Sequence, residues 1–162
     1  MHKQLKLLVS GLGVVAFLCV TVGLYAASSV PDVIKMENKA YKKHKRPIVE
    51  FDHKKHSEDY SKKHPGFYKN GCGECHHDEN NKPLAGLKPG DDVQSCITCH
   101  KKPGDIKGKK AKGLSKKQKL DYQAYAVHEN CRGCHRSYNK KNKLKSKSPG
   151  YAPTTCKKCH KK

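Results

Sequence analysis

Tryptophan is absent from this chain, and other large apolar side chains are few. The 162 residues include three Phe and two Met, and aromatic residues make up only 7% of the total. Charged residues account for 30%. A chain this polar buries too little apolar surface for a stable core, so it stays disordered unless disulfides, metals or cofactors hold it together. The composition therefore favours a small protein that is cross-linked or built around cofactors.

Acidic residues are also scarce. There are 14 Asp and Glu against 35 Lys and Arg, which gives a formal net charge of +21. Such a surplus favours contact with nucleic acid, anionic lipid or an acidic protein partner, but it does not choose among them. The lysines are spread along the chain in pairs such as Lys101-Lys102 and Lys157-Lys158. A generally solvated basic surface is therefore an equal alternative to a dedicated docking face.

Residues 7–27 carry no charge, and Lys3 and Lys6 precede them. This pattern predicts that residues 1–27 are a secretory signal peptide or, because the apolar run is nearly long enough to span a bilayer, a membrane anchor. Cys19 lies in this run and is interpreted as an inert apolar residue. In either case we expect the remaining chain to be exported, which makes nucleic acid an improbable partner. In an oxidising compartment, cysteines form disulfides, haem thioethers or protected metal sites.

Secondary-structure signals are weak over most of the chain. Residues 28–46 are predicted to be a basic linker with a short helix, and Pro47–Phe51 reads as a short strand and half of a small hairpin. Residues 78–95, 101–114 and 139–154 have loop composition. Ser115 and Gln118 form a capping-box pattern, and the apolar residues that follow recur at helical spacing up to residue 127. The sequence predicts a mainly α fold with much irregular structure and a short N-terminal β element, in a domain over 47–162.

Eight of the nine cysteines fall into four CxxCH motifs, at residues 72–76, 96–100, 131–135 and 156–160. Two thiols three residues apart lie on one side of a helical turn and can form thioethers with a single haem, while the histidine that follows binds the iron. Zinc ribbons and disulfide frameworks also use paired cysteines, but neither requires a histidine after each pair. The motifs therefore predict four haem c groups. The covalent residues would be Cys72, Cys75, Cys96, Cys99, Cys131, Cys134, Cys156 and Cys159, and the proximal iron ligands His76, His100, His135 and His160.

Six further histidines are available for the second axial positions, and the predicted ligands among them are His53, His56, His77 and His128. His53 and His56 would face one way on a helical turn, and each would serve a different iron. His77 directly follows His76 and must reach a neighbouring haem, because adjacent helical residues point about 100° apart. His128 lies at the end of the predicted helix, and spacing alone does not say which iron it binds. His44 and His64, in lysine-rich surroundings, are interpreted as solvated.

The residues "PIVEF", "FDHKKH", "CHH" and "YAVHENC", together with the order of the four motifs, resemble the tetrahaem class III cytochromes c, the cytochrome c3 family. The resemblance covers residue 47 to the C-terminus. It implies a small c3-like fold built around four haems, in which His53 completes the first haem, His77 the second, His56 the third and His128 the fourth. Four CxxCH motifs are similar to the second type within this family, which is often acidic, whereas this chain is basic.

The resemblance also implies a function. Members of this family are periplasmic electron carriers of anaerobic, often sulfate-reducing, bacteria, and they exchange electrons with hydrogenases, formate dehydrogenases or transmembrane redox complexes. We therefore expect a low-potential electron carrier rather than an enzyme, with an acidic partner surface. The alternative is a multihaem reductase or ligand sensor, which would need at least one iron without a second histidine. Contact with the membrane is expected only if residues 1–27 are retained.

Overall fold

The structure is a computed structural model that describes residues 30–161 of the chain. Short helical turns and irregular segments make up most of it, as the sequence predicts. The strands are β1 (Val33–Lys35) and β2 (Glu50–Asp52), and the α-helices are α1 (Ser61–Lys63), α2 (Cys96–Cys99), α3 (Lys116–Leu120), α4 (Gln123–Lys141) and α5 (Cys156–Cys159). A π-helical segment covers Lys55–Tyr60, and 3-10 turns cover Pro65–Phe67, Gly71–Glu74 and Gly108–Ala111. Across these residues no helix combines the length and apolar character needed to cross a membrane. The predicted signal or anchor, residues 1–27, lies outside the described residues.

The two strands form an antiparallel pair in which Ile34 lies opposite Phe51. The strand predicted over Pro47–Phe51 is found as Glu50–Asp52. It is paired as predicted, but residues 36–49 separate it from its partner, so the hairpin is not small, and the partner strand lies inside the segment that was interpreted as a linker. The prediction of a short helix at 28–46 is wrong for residues 30–46, which contain no helix. Val33 and Ile34 are β-branched residues that suit an extended strand. Backbone bonds from Met36 to Val49 (2.8 Å) and from Lys54 to Asp32 (3.1 Å) extend the pairing at both ends. The pair brings Phe51 to the start of the helical region that follows.

The region after β2 is helical, but it is not an ordinary α-helix. His53 lies in the first turn, and His56 lies in the π-helical segment Lys55–Tyr60. The Asp52 carboxylate accepts the Lys55 backbone N–H at 3.0 Å, which satisfies one of the unpaired donors at the start of this segment. π-Helical turns occur often at functional sites. Both histidine rings lie beside Phe51, with ring centres 5.9 Å and 4.6 Å away.

The predicted capping box is confirmed. Ser115 Oγ accepts the Gln118 backbone N–H at 3.2 Å, and the Gln118 side chain accepts the Ser115 N–H at 2.8 Å. The helix it starts, however, ends at Leu120, and a separate helix runs from Gln123 to Lys141. The break arises because the backbone of Lys102 pairs on both sides of Tyr122, accepting from Gln123 N and donating to Asp121 O, each at 2.9 Å.

Helix α4 corrects two expectations at once. His128 lies within α4 and not at the end of the capped helix, and the third CxxCH motif lies in the same helix. The segment 139–154, predicted to be a loop, is helical as far as Lys141. Asn139 is buried at 6% exposure in the last turns of α4, where its amide donates to Ala152 O and accepts from Ala152 N, both at 2.9 Å. This pair of bonds fixes the returning chain against the helix.

The described part of the chain has almost no apolar core of its own. Ile106 and Ala126 are its only buried hydrophobic residues, at 6% and 9% exposure. Such a small buried apolar area cannot offset the conformational entropy lost on folding. The fold therefore depends on something besides side-chain packing, as the composition predicts.

Candidate haem sites

Each of the four CxxCH motifs lies on one helical turn. The first begins within the 3-10 turn Gly71–Glu74, the cysteine pairs of the second and fourth span α2 and α5, and the third lies within α4. In the first, second and fourth motifs the backbone N–H of the histidine donates to the backbone carbonyl of the first cysteine, at 3.0, 2.9 and 2.8 Å. Among residues 30–161 no two of the eight cysteines form a disulfide. The local geometry therefore presents two thiols and an imidazole from one turn, four times.

The thiols of different motifs lie near one another. The pKa of Cys75 is raised to about 12, first by burial of its sulfur among neighbouring atoms and then by Cys131 and Cys134, although the residue keeps some exposed surface. Burial likewise raises the pKa of Cys131 to about 11, with smaller effects from Cys159 and Cys96. Thiolates that bind metals or attack substrates have lowered pKa values instead. Cysteines of the third motif therefore lie near cysteines of the other three motifs.

The histidines of the motifs are paired in space with histidines from elsewhere. The ring centres of His77 and His100 are 6.1 Å apart, those of His56 and His135 are 6.2 Å apart, and those of His128 and His160 are 6.3 Å apart. Each pair joins one histidine that follows a cysteine pair to one that was predicted as a second ligand.

His53 and His76 form the remaining combination of predicted ligands. Burial lowers the pKa of His76, and the next cause is the nearby charge of His53. This effect indicates that His53 lies near His76, while its neighbour His56 faces His135. His44 and His64 are used differently: His44 stacks on Tyr41 with ring centres 5.1 Å apart, and His64 Nε2 lies 3.5 Å from the Tyr138 hydroxyl.

Backbone carbonyls orient most of the paired rings. A carbonyl can only accept, so each of these rings carries its proton on Nδ1 and keeps the Nε2 lone pair free for a metal. The five bonds run from Nδ1 of His56 to Asp52 O (2.8 Å), His77 to Asp78 O (2.8 Å), His100 to Leu120 O (2.5 Å), His135 to Pro153 O (2.6 Å) and His160 to Pro47 O (2.7 Å).

The fold explains where two of these carbonyls come from. Leu120 ends helix α3, where carbonyl groups lack intrahelical partners, and the break after it leaves its oxygen free for His100. Pro153 follows Ala152, which both Asn139 bonds hold in place. Sequence reasoning missed Asn139 as a positioning residue, because an Asn in a lysine-rich stretch reads as a loop signal.

The arrangement fits haem. A first-row transition metal holds an imidazole nitrogen at about 2 Å and the ring centre lies roughly 1 Å beyond it, so two imidazoles on opposite sides of one iron have centres roughly 6 Å apart. The three measured separations match that spacing. A cleft of about 540 Å³ beside Cys134, lined also by Phe67 and Glu74, falls within the usual range of ligand pockets. Within the described residues the buried Arg132 Nε has no hydrogen-bond partner, and it suits a carboxylate such as a haem propionate.

These donors define a multihaem c-type cytochrome, because thiol pairs and oriented imidazoles recur together at several places in one small chain. A sequence model of the Class III cytochrome C family matches residues 30–160, and the chain belongs to that family. Class III cytochromes c bind haem c and transfer electrons, and the resemblance drawn from the motifs is confirmed. The match begins within the segment predicted as a linker, in agreement with strand β1. No curated protein sequence and no solved structure matches the chain.

Proposed function

We propose that the chain is a periplasmic electron carrier with four covalently bound haem c groups, each held by two histidines. The axial pairs are His76 with His53, His100 with His77, His135 with His56, and His160 with His128. The observation that carries this proposal is the spacing of 6.1 to 6.3 Å between ring centres in three of these pairs. The two histidines of each pair come from distant segments of the chain, so closeness in sequence does not explain this spacing.

Haem iron bound by two imidazoles exchanges single electrons and offers no coordination position to a substrate. The chain supplies both imidazoles and orients them through Nδ1. Burial also favours the neutral form of three of these rings, since it lowers the pKa values of His56, His76 and His128. Neutral nitrogen ligands and partial exposure favour low reduction potentials. These features support a carrier in anaerobic respiration rather than a reductase or sensor.

Adjacent ligands would hold the haems together as a cluster. His76 and His77 are consecutive but face different partners, and so do His53 and His56 across one helical turn. Two short segments thus each connect two haem sites. Electrons could then move between neighbouring sites, and the measured potentials would belong to the set of interacting haems and not to single ones.

The haem count and ligation can be tested together. A pyridine haemochrome assay on purified protein should give four haems per chain, and the native spectra should be low-spin in both oxidation states. Carbon monoxide added to the reduced protein at native pH should not bind promptly. A count below four, or prompt binding by the unmodified protein, would contradict the proposal and favour an open haem.

The partner is proposed to be an acidic redox protein, such as a hydrogenase, a formate dehydrogenase or a transmembrane redox complex. The excess of 35 basic over 14 acidic residues supports attraction to an acidic surface. Electron transfer to such a partner should slow as salt rises from low to physiological ionic strength, since exposed charges are screened beyond about 8 Å. A rate independent of salt would contradict this docking mode.

The mass of the mature N-terminus would decide whether residues 1–27 stay attached.

A further inference from the structure

The ring of His128 differs from the other oriented rings. Five predicted ligand histidines donate from Nδ1 to a backbone carbonyl, but His128 Nδ1 is buried and has no hydrogen-bond partner within the described residues. A buried N–H left without an acceptor costs about 1–3 kcal/mol. The protein therefore has reason to provide an acceptor for this ring.

The polar group placed against this ring is a carboxylate. Asp105 Oδ2 lies 3.6 Å from His128 Nδ1, and the two side chains are 25% and 34% exposed. At 3.6 Å the pair is not yet a hydrogen bond, but a shift of roughly half an ångström would make it one. Asp105 precedes the buried Ile106, which fixes its backbone in the protein. Lys107 Nζ, on the other side, lies 3.6 Å from the same oxygen.

We propose that Asp105 accepts the Nδ1–H bond of His128 and thereby sets the potential of the fourth haem apart from the others. The inference rests on the proposed function, since it takes His128 as an iron ligand. Asp105 is a positioning residue, because it acts on the iron only through the imidazole.

The effect has a definite direction. A hydrogen bond to a carboxylate is roughly twice as strong as one to a neutral carbonyl. Outer-shell carboxylates increase the basicity of a ligating imidazole. A more basic ligand stabilises the oxidised iron more than the reduced iron, which lowers the reduction potential. The fourth haem would therefore have a lower potential than the same site with a neutral acceptor.

The test uses the haem-loaded protein. Asp105→Asn replaces the carboxylate with a neutral acceptor of the same size. At a fixed applied potential, the ratio of reduced to oxidised iron in one haem should rise about tenfold, which corresponds to an increase of about 59 mV in its one-electron reduction potential. Redox titrations followed by NMR or EPR would resolve the individual haems. Asp105→Glu keeps a carboxylate acceptor, so the reduction potential of this haem should stay close to that of the unmodified protein. Asp91→Asn, which removes an equal charge from an exposed loop, is the matched control and should produce no selective shift.

Spectroscopy separates a hydrogen bond from a general charge effect. In the unmodified protein the Nδ1 proton of one ligand should exchange slowly with solvent, and the EPR signal of the same haem should change in Asp105→Asn. Equal shifts at all four haems, or no shift, would overturn the proposal while leaving four low-spin haems intact. Fewer than four haems in the unmodified protein would instead contradict the proposed function. If Asp105→Asn fails to fold, the proton exchange of the unmodified protein and the Asp105→Glu titration still decide.

Discussion

Replacing His77 with Ala should open one haem of four. The His77 ring lies 6.1 Å from that of His100, and it is the partner proposed for that iron. His100 should stay in place, because Leu120 O holds its Nδ1 at 2.5 Å independently of His77. The change therefore removes one axial ligand and leaves the other. Under the proposed ligation, we expect one iron to change from six ligands to five.

The fold should tolerate this substitution. His77 is an exposed residue, and its one recorded side-chain bond is to the carbonyl of Asp78, at 2.8 Å. Losing that bond costs about 1 kcal/mol. The thioethers of the second motif remain, so haem content should not change. The difference from the native protein should thus be confined to ligation.

Carbon monoxide binding to the reduced variant measures the outcome. One molecule should bind per chain, and about a quarter of the haem absorbance should change from the low-spin form. His44→Ala is the matched control: His44 stacks on Tyr41, outside the four pairs, and this variant should stay closed. If His77→Ala binds no carbon monoxide, the assignment of His77 as a ligand is wrong. Binding at two sites would mean that the segment 76–77 had been displaced as a whole.

Three further outcomes concern stability. Protein made without haem attachment should lose most of its helical circular dichroism, because its described apolar core is only two residues, and a native-like spectrum would contradict this. Gly73→Ala places a methyl carbon 2.9 Å from the backbone nitrogen of Ala85 and should lower stability by about 1–3 kcal/mol in thermal unfolding. In the control Gly86→Ala the new methyl group meets no atom within 4 Å, so the stability should stay within about 0.5 kcal/mol of the native protein. Equal effects of the two substitutions would refute the clash. Ser115→Ala should cost about 1 kcal/mol by loss of the capping box, and Ser115→Thr should retain most of it; an unchanged melting temperature in Ser115→Ala would argue against the cap.

Local chemistry was the part of this protein that its sequence could predict. Each CxxCH motif lies on a helical turn, and on such a turn the spacing alone brings its two thiols to one side. The capping box of Ser115 and Gln118 also depends only on residues three positions apart. In the same way, His76 and His77 point to different partners because consecutive residues diverge. Each of these features is decided within one or two turns of chain.

The features that sequence reasoning missed depend on contacts between distant segments. The break between α3 and α4 is made by Lys102, about twenty residues earlier, which pairs with both sides of Tyr122. Strand β1 exists because it finds β2 across a long connection. Asp105 reaches His128 only after the loop 101–114 folds back onto α4. No pattern in a single segment encodes these meetings, so periodicity and composition could not find them.

The use of main-chain carbonyls to orient ligand rings has a consequence for how this sequence can change over time. A backbone carbonyl remains available as an acceptor when the side chain of its residue is replaced. Leu120 could therefore mutate widely while His100 keeps its orientation. Asp105, the proposed acceptor for His128, would instead act through its side chain, so substitution at that position would alter a single haem. Variation among natural descendants of this chain could thus retune one potential and leave the rest of the electron path unchanged.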